Sequence, residues 1–173
     1  MNHVDKAVEA LRSALGTAIA SVEVFRGQTT VELERDSLPA AVRRLHDDPE
    51  LDFNFLAALT ATDRWPEEPR FSVIYQFYSL KHNVFLGLRV RLAGDSTEID
   101  SLEPIFPAAN WHERELFDLF GITFRGHSDL RRILLPYDWV GHPLRKDQPQ
   151  GYEEVQFTFN FDEIDRRKPY ARE

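Results

Sequence analysis

The stretch from Phe71 to Leu92 constrains the fold more than any other part of the chain. Val84, Leu86, Leu88, Val90 and Leu92 fall on one side of an extended backbone, and Phe85, Gly87, Arg89 and Arg91 fall on the other. Phe71 to Leu80 is a similar aromatic and β-branched run, and the short Lys81-His82-Asn83 link predicts an antiparallel pair. Two strands with an apolar face need a covering layer, because an isolated hairpin buries too little to persist in water. The preceding sequence offers that layer. Val4, Ala7, Val8, Leu11 and Leu15 recur at helical spacing and Gly16 supplies a stop, which predicts a helix over residues 3–15. A second helix is expected from Ser37, with Pro39 in its first turn, Leu38, Ala41, Val42 and Leu45 on one side, and an end at Asp47-Asp48-Pro49. Between the two, Val22 to Phe25 and Val31 to Glu34 alternate around Arg26-Gly27-Gln28 and predict a short hairpin. Phe53 to Thr62 admits two readings: its Ala and Leu content favours helix, while its shortness and the Asp63-Arg64-Trp65-Pro66 turn favour a buried strand, at least for the second half. The expected class is α+β: a largely antiparallel or mixed sheet with helices packed on one face.

Beyond residue 100 the texture changes. A short helix is expected from about Trp111 to Phe120, and Gly121, Gly126, Pro136, Gly141, Pro143 and Pro149 then punctuate a long irregular stretch. Val155, Phe157, Phe159 and Phe161 alternate with polar residues, as in a docking arm or an edge strand. The chain therefore divides into an α+β body (1–121), a charged irregular interface segment (122–150) and an extended C-terminal arm (151–173).

Composition narrows the chemistry. The 173 residues include no cysteine, so a disulfide framework, a thiolate-held cluster and a cysteine nucleophile are all excluded. A formal net charge of −8 argues against nucleic acid as a partner. The longest nearly apolar run, Phe53 to Ala61, is too short for a bilayer span, and the first residues show neither a secretory nor a transit pattern, so a soluble protein is expected. Nucleotide-cradling glycine motifs and a Gly-x-Ser-x-Gly elbow are absent.

The charges that remain to be explained concentrate between Trp111 and Asp147, where six acids meet six bases. Such balance points to ion pairs, internal or across an interface, because steering an anion would need an excess of one sign. On a helical wheel His112 and Glu113 lie with or beside Leu116, Phe117, Leu119 and Phe120. Trp111, Arg114, Glu115 and Asp118 occupy the opposite side, where Arg114 and Asp118 can pair. Trp111 on a polar side is a candidate anchor for another surface. Glu113 has two compatible roles: a capping-box partner of Asn110, or a buried carboxylate neutralised by Arg131 or Arg132. His112, Glu113, Glu115, His127 and His142 would be needed for a metal or acid/base site. The histidines stand fifteen residues apart without a His-Glu-x-x-His motif, so their convergence would rest on the fold alone.

The run Trp111-His112-Glu113-Arg114-Glu115-Leu116-Phe117-Asp118-Leu119-Phe120-Gly121-Ile122, followed by Gly126-His127, Asp129-Leu130-Arg131-Arg132-Ile133-Leu134 and Gly141-His142-Pro143-Leu144-Arg145-Lys146-Asp147, resembles the thirty-kilodalton-subunit family of NADH-quinone oxidoreductase, the C subunit of respiratory complex I. Looser similarity reaches back through Asp63 and the 71–92 hairpin. Ser128 and Tyr137 depart from the family pattern, which has proline after the histidine and an acidic or small polar residue at the second place. The resemblance implies a hydrophilic peripheral-arm subunit of a proton-translocating oxidoreductase on the cytoplasmic side of a bacterial inner membrane. Its membrane contact would be indirect. It implies no cofactor in this chain, with flavin, iron–sulfur clusters and quinone in partner subunits, and chief contact with the quinone-site subunit, which the chain would brace during assembly. Catalysis would belong to the assembly. A related membrane-bound hydrogenase or dehydrogenase complex uses a similar module. The expected interface or structural ion-pair residues are Trp111, Glu113, Arg114, Glu115, Asp118, His127, Asp129, Arg131, Arg132, His142, Arg145, Lys146 and Asp147. Two other classes stay open: a small metal-dependent or acid/base enzyme using His112, Glu113 and His127, and an adaptor outside bioenergetics that recognises a peptide by its sheet edge or aromatic tail.

Overall fold

The computed structural model of the chain describes residues 2–148 together with Phe159, Asn160, Asp162, Glu163 and Arg166. Helix α1 spans His3–Leu15 and buries Ala7, Val8 and Leu11; Asn2 caps it by accepting the Asp5 N–H, while its own N–H reaches the Asp5 carboxylate. Strands β1 (Ile19–Phe25) and β2 (Gln28–Leu33) form the expected hairpin, with Arg26 and Gly27 in the left-handed region at the turn. Helix α2 (Leu38–Asp47) buries Leu38, Ala41, Val42 and Leu45.

The ambiguous stretch resolves as a full strand, β3 (Phe55–Asp63), because its alternate residues Leu59, Ala61 and Asp63 are buried and it pairs along its length with β4 (Phe71–Ser79). Strand β5 (Val84–Leu92) pairs antiparallel with β4 as expected. The sheet order is β1-β2-β5-β4-β3, and β2 joins β5 in parallel, so the sheet is mixed. The apolar sides of these strands make one face: Phe71, Val73, Tyr75, Phe77, Leu86, Leu88 and Val90 are all fully buried. On the opposite face Arg89 bridges Glu23 (2.8 Å) and Glu32 (3.1 Å), and Arg91 reaches Glu32 (3.0 Å).

Helix α3 (Ala109–Phe120) packs on β3 and starts two residues earlier than its sequence pattern indicates. Its N-cap is Ala108, so Asn110 lies inside the helix and the Asn110–Glu113 capping box does not form. Two three-residue strands that periodicity is too short to reveal, β6 (Glu98–Asp100) and β7 (Thr123–Arg125), pair in parallel and bracket α3. The alternating Val155–Phe161 stretch lies outside the described residues apart from Phe159 and Asn160. Among the described residues no helix is long and apolar enough to cross a membrane.

Candidate functional site

Several of the charged positions singled out in the sequence, Arg114, Asp118, Arg132, His142 and Arg145, converge on α3 by turning inward. Asp118 is fully buried on the side of α3 that the wheel marks as polar, because the chain returning after β7 covers that side. One carboxylate oxygen, Oδ2, accepts three consecutive backbone N–H groups, from Ile133 (3.0 Å), Leu134 (2.8 Å) and Leu135 (2.8 Å); the other, Oδ1, accepts Arg132 Nη1 at 2.6 Å. Burial alone would raise this carboxyl. The Leu135 and Leu134 amides, Arg132 and the Ile133 amide outweigh it and hold the group below its ordinary range. Three successive amides on one oxygen form an anion nest, closed here by the chain's own aspartate.

Arg132 continues the clamp with Nη2, donating to the carbonyls of Trp139 (3.0 Å) and Gly141 (3.1 Å). Arg114 points the same way, donating to the carbonyls of Arg131 and Arg132 while its guanidinium lies over the Trp111 ring at 5.2 Å. The expected Arg114–Asp118 pair is therefore replaced by two separate attachments to the loop. His142 Nδ1–H donates to the Asp118 carbonyl (2.8 Å), and Arg145 donates to the carbonyls of Phe120 and Gly121, at the open C-terminal end of α3. Gly121 has to be glycine: its φ is +71°, and an added Cβ would sit 2.6 Å from both His142 and Arg145.

A second attachment point lies at the end of the sheet. Arg70 makes paired bonds to Asp63 (Nε to Oδ1 3.0 Å, Nη2 to Oδ2 2.8 Å) and to Asp147 (Nη1 3.0 Å, Nη2 2.7 Å). The Lys146 amide also donates to Asp63 at 2.8 Å, so both residues of the Lys146-Asp147 pair are tied to the β3–β4 corner. Burial pushes the Asp63 carboxyl up, and Arg70 with the Lys146 and Trp65 amides overrides it, taking the group down to about 2. Sequence reading missed Asp63 and Arg70 as members of this cluster, since their partner is more than seventy residues away and no local spacing signals it.

Glu113 behaves differently from both expectations. It is fully buried and accepts Ser101 Oγ–H (2.6 Å) and the Leu102 N–H (2.7 Å), not an arginine. Arg132 is committed to Asp118, and Arg131 pairs with Asp129 (2.9 Å) near the surface. Neighbouring Glu103 accepts the Ser128 hydroxyl (2.6 Å) and amide (2.8 Å) and Asn110 Nδ2 (3.0 Å), which lower it to about 2. Ser128 thus ties the loop to Glu103 through both its hydroxyl and its amide. His127 donates Nε2–H to the Asn110 carbonyl (3.1 Å) and accepts the Asp129 N–H at Nδ1 (3.0 Å), so both ring nitrogens are spent on backbone. That leaves His127 no lone pair for a ligand, and among the described residues no three His, Asp or Glu side chains stand close enough to hold a metal. Glu115 is exposed on the outer side of α3.

With Arg132, His142 and Arg145 turned to α3, the loop presents apolar side chains outward beside the exposed charges of Asp129, Arg131 and Asp138. Tyr137 is 89% exposed and Val140 92%, with Leu134, Leu144 and Trp139 close to them in the sequence, all at least a third exposed; Trp111 on α3 is exposed as well. Leu134-Leu135-Pro136-Tyr137 and Trp139-Val140 are the sequence signal for this tip, masked by the surrounding charge.

The sequence profile of the respiratory-chain NADH dehydrogenase 30 kDa subunit matches residues 31–154. The chain is 48% identical over 166 residues to the NADH-quinone oxidoreductase C subunit of Roseiflexus sp. strain RS-1, covering 96% of this chain and 95% of that one. It is 44% identical to the same subunit of Herpetosiphon aurantiacus, over 85% and 86% of the two chains. Among solved structures, a trypsin-resistant fragment (1–134) of Nqo5 superimposes with a TM-score of 0.61 at 26% identity, covering 74% of this chain and 99% of the fragment. A chain of an archaeal membrane-bound sulfane sulfur reductase shares the fold, with a TM-score of 0.65 at 17% identity over 98% and 95% of the two chains.

Proposed function

Because the chain belongs to the 30 kDa subunit family of respiratory-chain NADH dehydrogenase, we propose that it is a peripheral-arm subunit that braces the neighbouring quinone-site subunit of an NADH-quinone oxidoreductase. It holds no flavin, cluster or quinone of its own, sits on the cytoplasmic side of the inner membrane and reaches the bilayer only through the complex. Electron transfer belongs to its partners.

The observation that carries this reading is the division of labour among the described residues of the segment, 122–148: Arg132, His142, Arg145 and Asp147 fasten the loop to α3 and the β3–β4 corner, and Leu134, Tyr137, Val140 and Leu144 are left facing out. A loop pinned at many points loses little further entropy on docking, so its apolar area converts efficiently into binding. Exposed aromatic and aliphatic side chains on a fixed frame are the usual composition of an interface centre. Arg132, His142, Arg145 and Asp147 therefore set the shape of the contact, and the apolar residues make its centre.

The test is a double substitution, Tyr137→Ser with Val140→Ser, in the native operon. Monomer stability should move by no more than about 0.5 kcal/mol, as for exposed positions, while recovery of assembled oxidoreductase from membranes falls sharply. Normal assembly and quinone reduction with the doubly substituted protein would overturn the assignment of this tip.

A further inference from the structure

We propose that Glu113 is a buried proton-holding site that couples the seating of α3 to pH. The inference is independent of the docking role of the 134–144 tip. Its basis is the set of groups around a carboxylate that has no contact with solvent. From the β6–α3 connection, Ser101 and Leu102 each give one hydrogen bond, and Glu103 adds a negative charge. From β4, the Tyr75 hydroxyl is buried without a hydrogen-bond partner, and its ionisation is pushed up by burial and by the charges of Glu113 and Asp100, the latter on β6. From the loop after β7 comes His127, whose Nδ1 accepts the Asp129 N–H and whose Nε2 faces the Asn110 carbonyl. Strand β3, also packed on α3, offers buried Leu56, Leu59 and Ala61, and its carboxylate Asp63 is bound to Arg70. On α3 itself Arg114 reaches away toward the loop carbonyls of Arg131 and Arg132. Among the described residues no lysine or arginine forms an ion pair with Glu113, whereas Asp118, the other fully buried carboxylate on α3, has Arg132.

A buried carboxylate without a counter-charge relieves the cost by taking up a proton. The acid form fits the site: Oε1 keeps the Leu102 N–H, and a protonated Oε2 donates to Ser101 Oγ across the same 2.6 Å. Burial is the largest influence and lifts the group to about 7, against the opposing pull of Ser101, Leu102 and His127. Since the folded value lies above the ordinary 4.5, the stabilisation is complete below about 4.5 and is lost as pH rises through about 7. Ionisation weakens the joint between α3 and residues 101–103 while leaving the Asp118 clamp on the other side intact.

The experiment is a pH titration of the full chain carrying 13C-labelled glutamate carboxyl groups, followed by NMR. One glutamate should titrate near pH 7, its resonance should vanish in Glu113→Gln, and its midpoint should move in Ser101→Ala, which removes the hydroxyl paired with Oε2. The fall in melting temperature between about pH 6 and about pH 8 should flatten in Glu113→Gln. If that variant does not fold, the shift in Ser101→Ala identifies the group. The proposal is overturned if every glutamate titrates below about pH 5, or if a late-titrating resonance ignores Ser101→Ala.

Discussion

Asp118 commits both carboxylate oxygens to the chain that covers it. Removing its charge leaves Arg132 facing a neutral amide, and an asparagine NH₂ would have to confront either that guanidinium or three backbone N–H donors. Asp118→Asn should therefore cost about 3 to 5 kcal/mol, the range for breaking a buried ion pair from one side, measured by urea unfolding of the isolated chain. The residue types of this cluster were legible in the sequence, and their pairing was not. Helical spacing names partners three or four residues away, so it joined Arg114 to Asp118 and gave Glu113 to Asn110. The real partners are Arg132, three amides in a row, Ser101 and Leu102. Backbone amides carry no sequence signature, which is why the nest around Asp118 could not be foreseen.

At the scale of elements, α3 is held from both sides: Leu116 and Phe120 bury toward the sheet, and the returning loop covers Arg114 and Asp118. The wheel separated those faces correctly. It marks the second only as polar, with Trp111 as a candidate anchor, because nothing in residues 111–120 reveals that the chain after β7 folds back over it. The long strands and the first two helices were readable because their periodicity runs over seven or more residues. Three-residue β6 and β7, and the parallel pairing of β2 with β5, fall below what periodicity can report. The corner formed by Arg70, Asp63 and Asp147 makes a separable contribution. Asp147→Asn should leave the global unfolding transition almost unchanged while releasing the 145–147 segment. Trypsin cleavage after Lys146 should then speed up by roughly fivefold, the equivalent of about 1 kcal/mol in a local opening equilibrium.

For the whole molecule, the depressed carboxyls fix the acid limit of stability. Asp63 and Glu103 lie near 2 in the folded chain against ordinary values of 3.8 and 4.5, and Asp118 and Asp147 are lowered as well. Depressed folded values mean that the unfolded chain takes up protons first. Their contribution is thus fully present above about 4.5 and drains away as pH falls toward 2. Melting scans should show little loss from these groups down to about pH 5 and a steep decline below about pH 4, with a shallower acid limb in Arg70→Met, which strips Asp63 and Asp147 of their shared cation.

The parallel seam between β2 and β5 also sets an order of events during synthesis. Val31 must wait for Leu88 before its sheet position exists, so α1, α2 and the first hairpin leave the ribosome before the strands that they cover and pair with. Translation arrested anywhere before Leu92 would yield a sticky, incomplete product, a natural client for chaperones that shelter nascent chains.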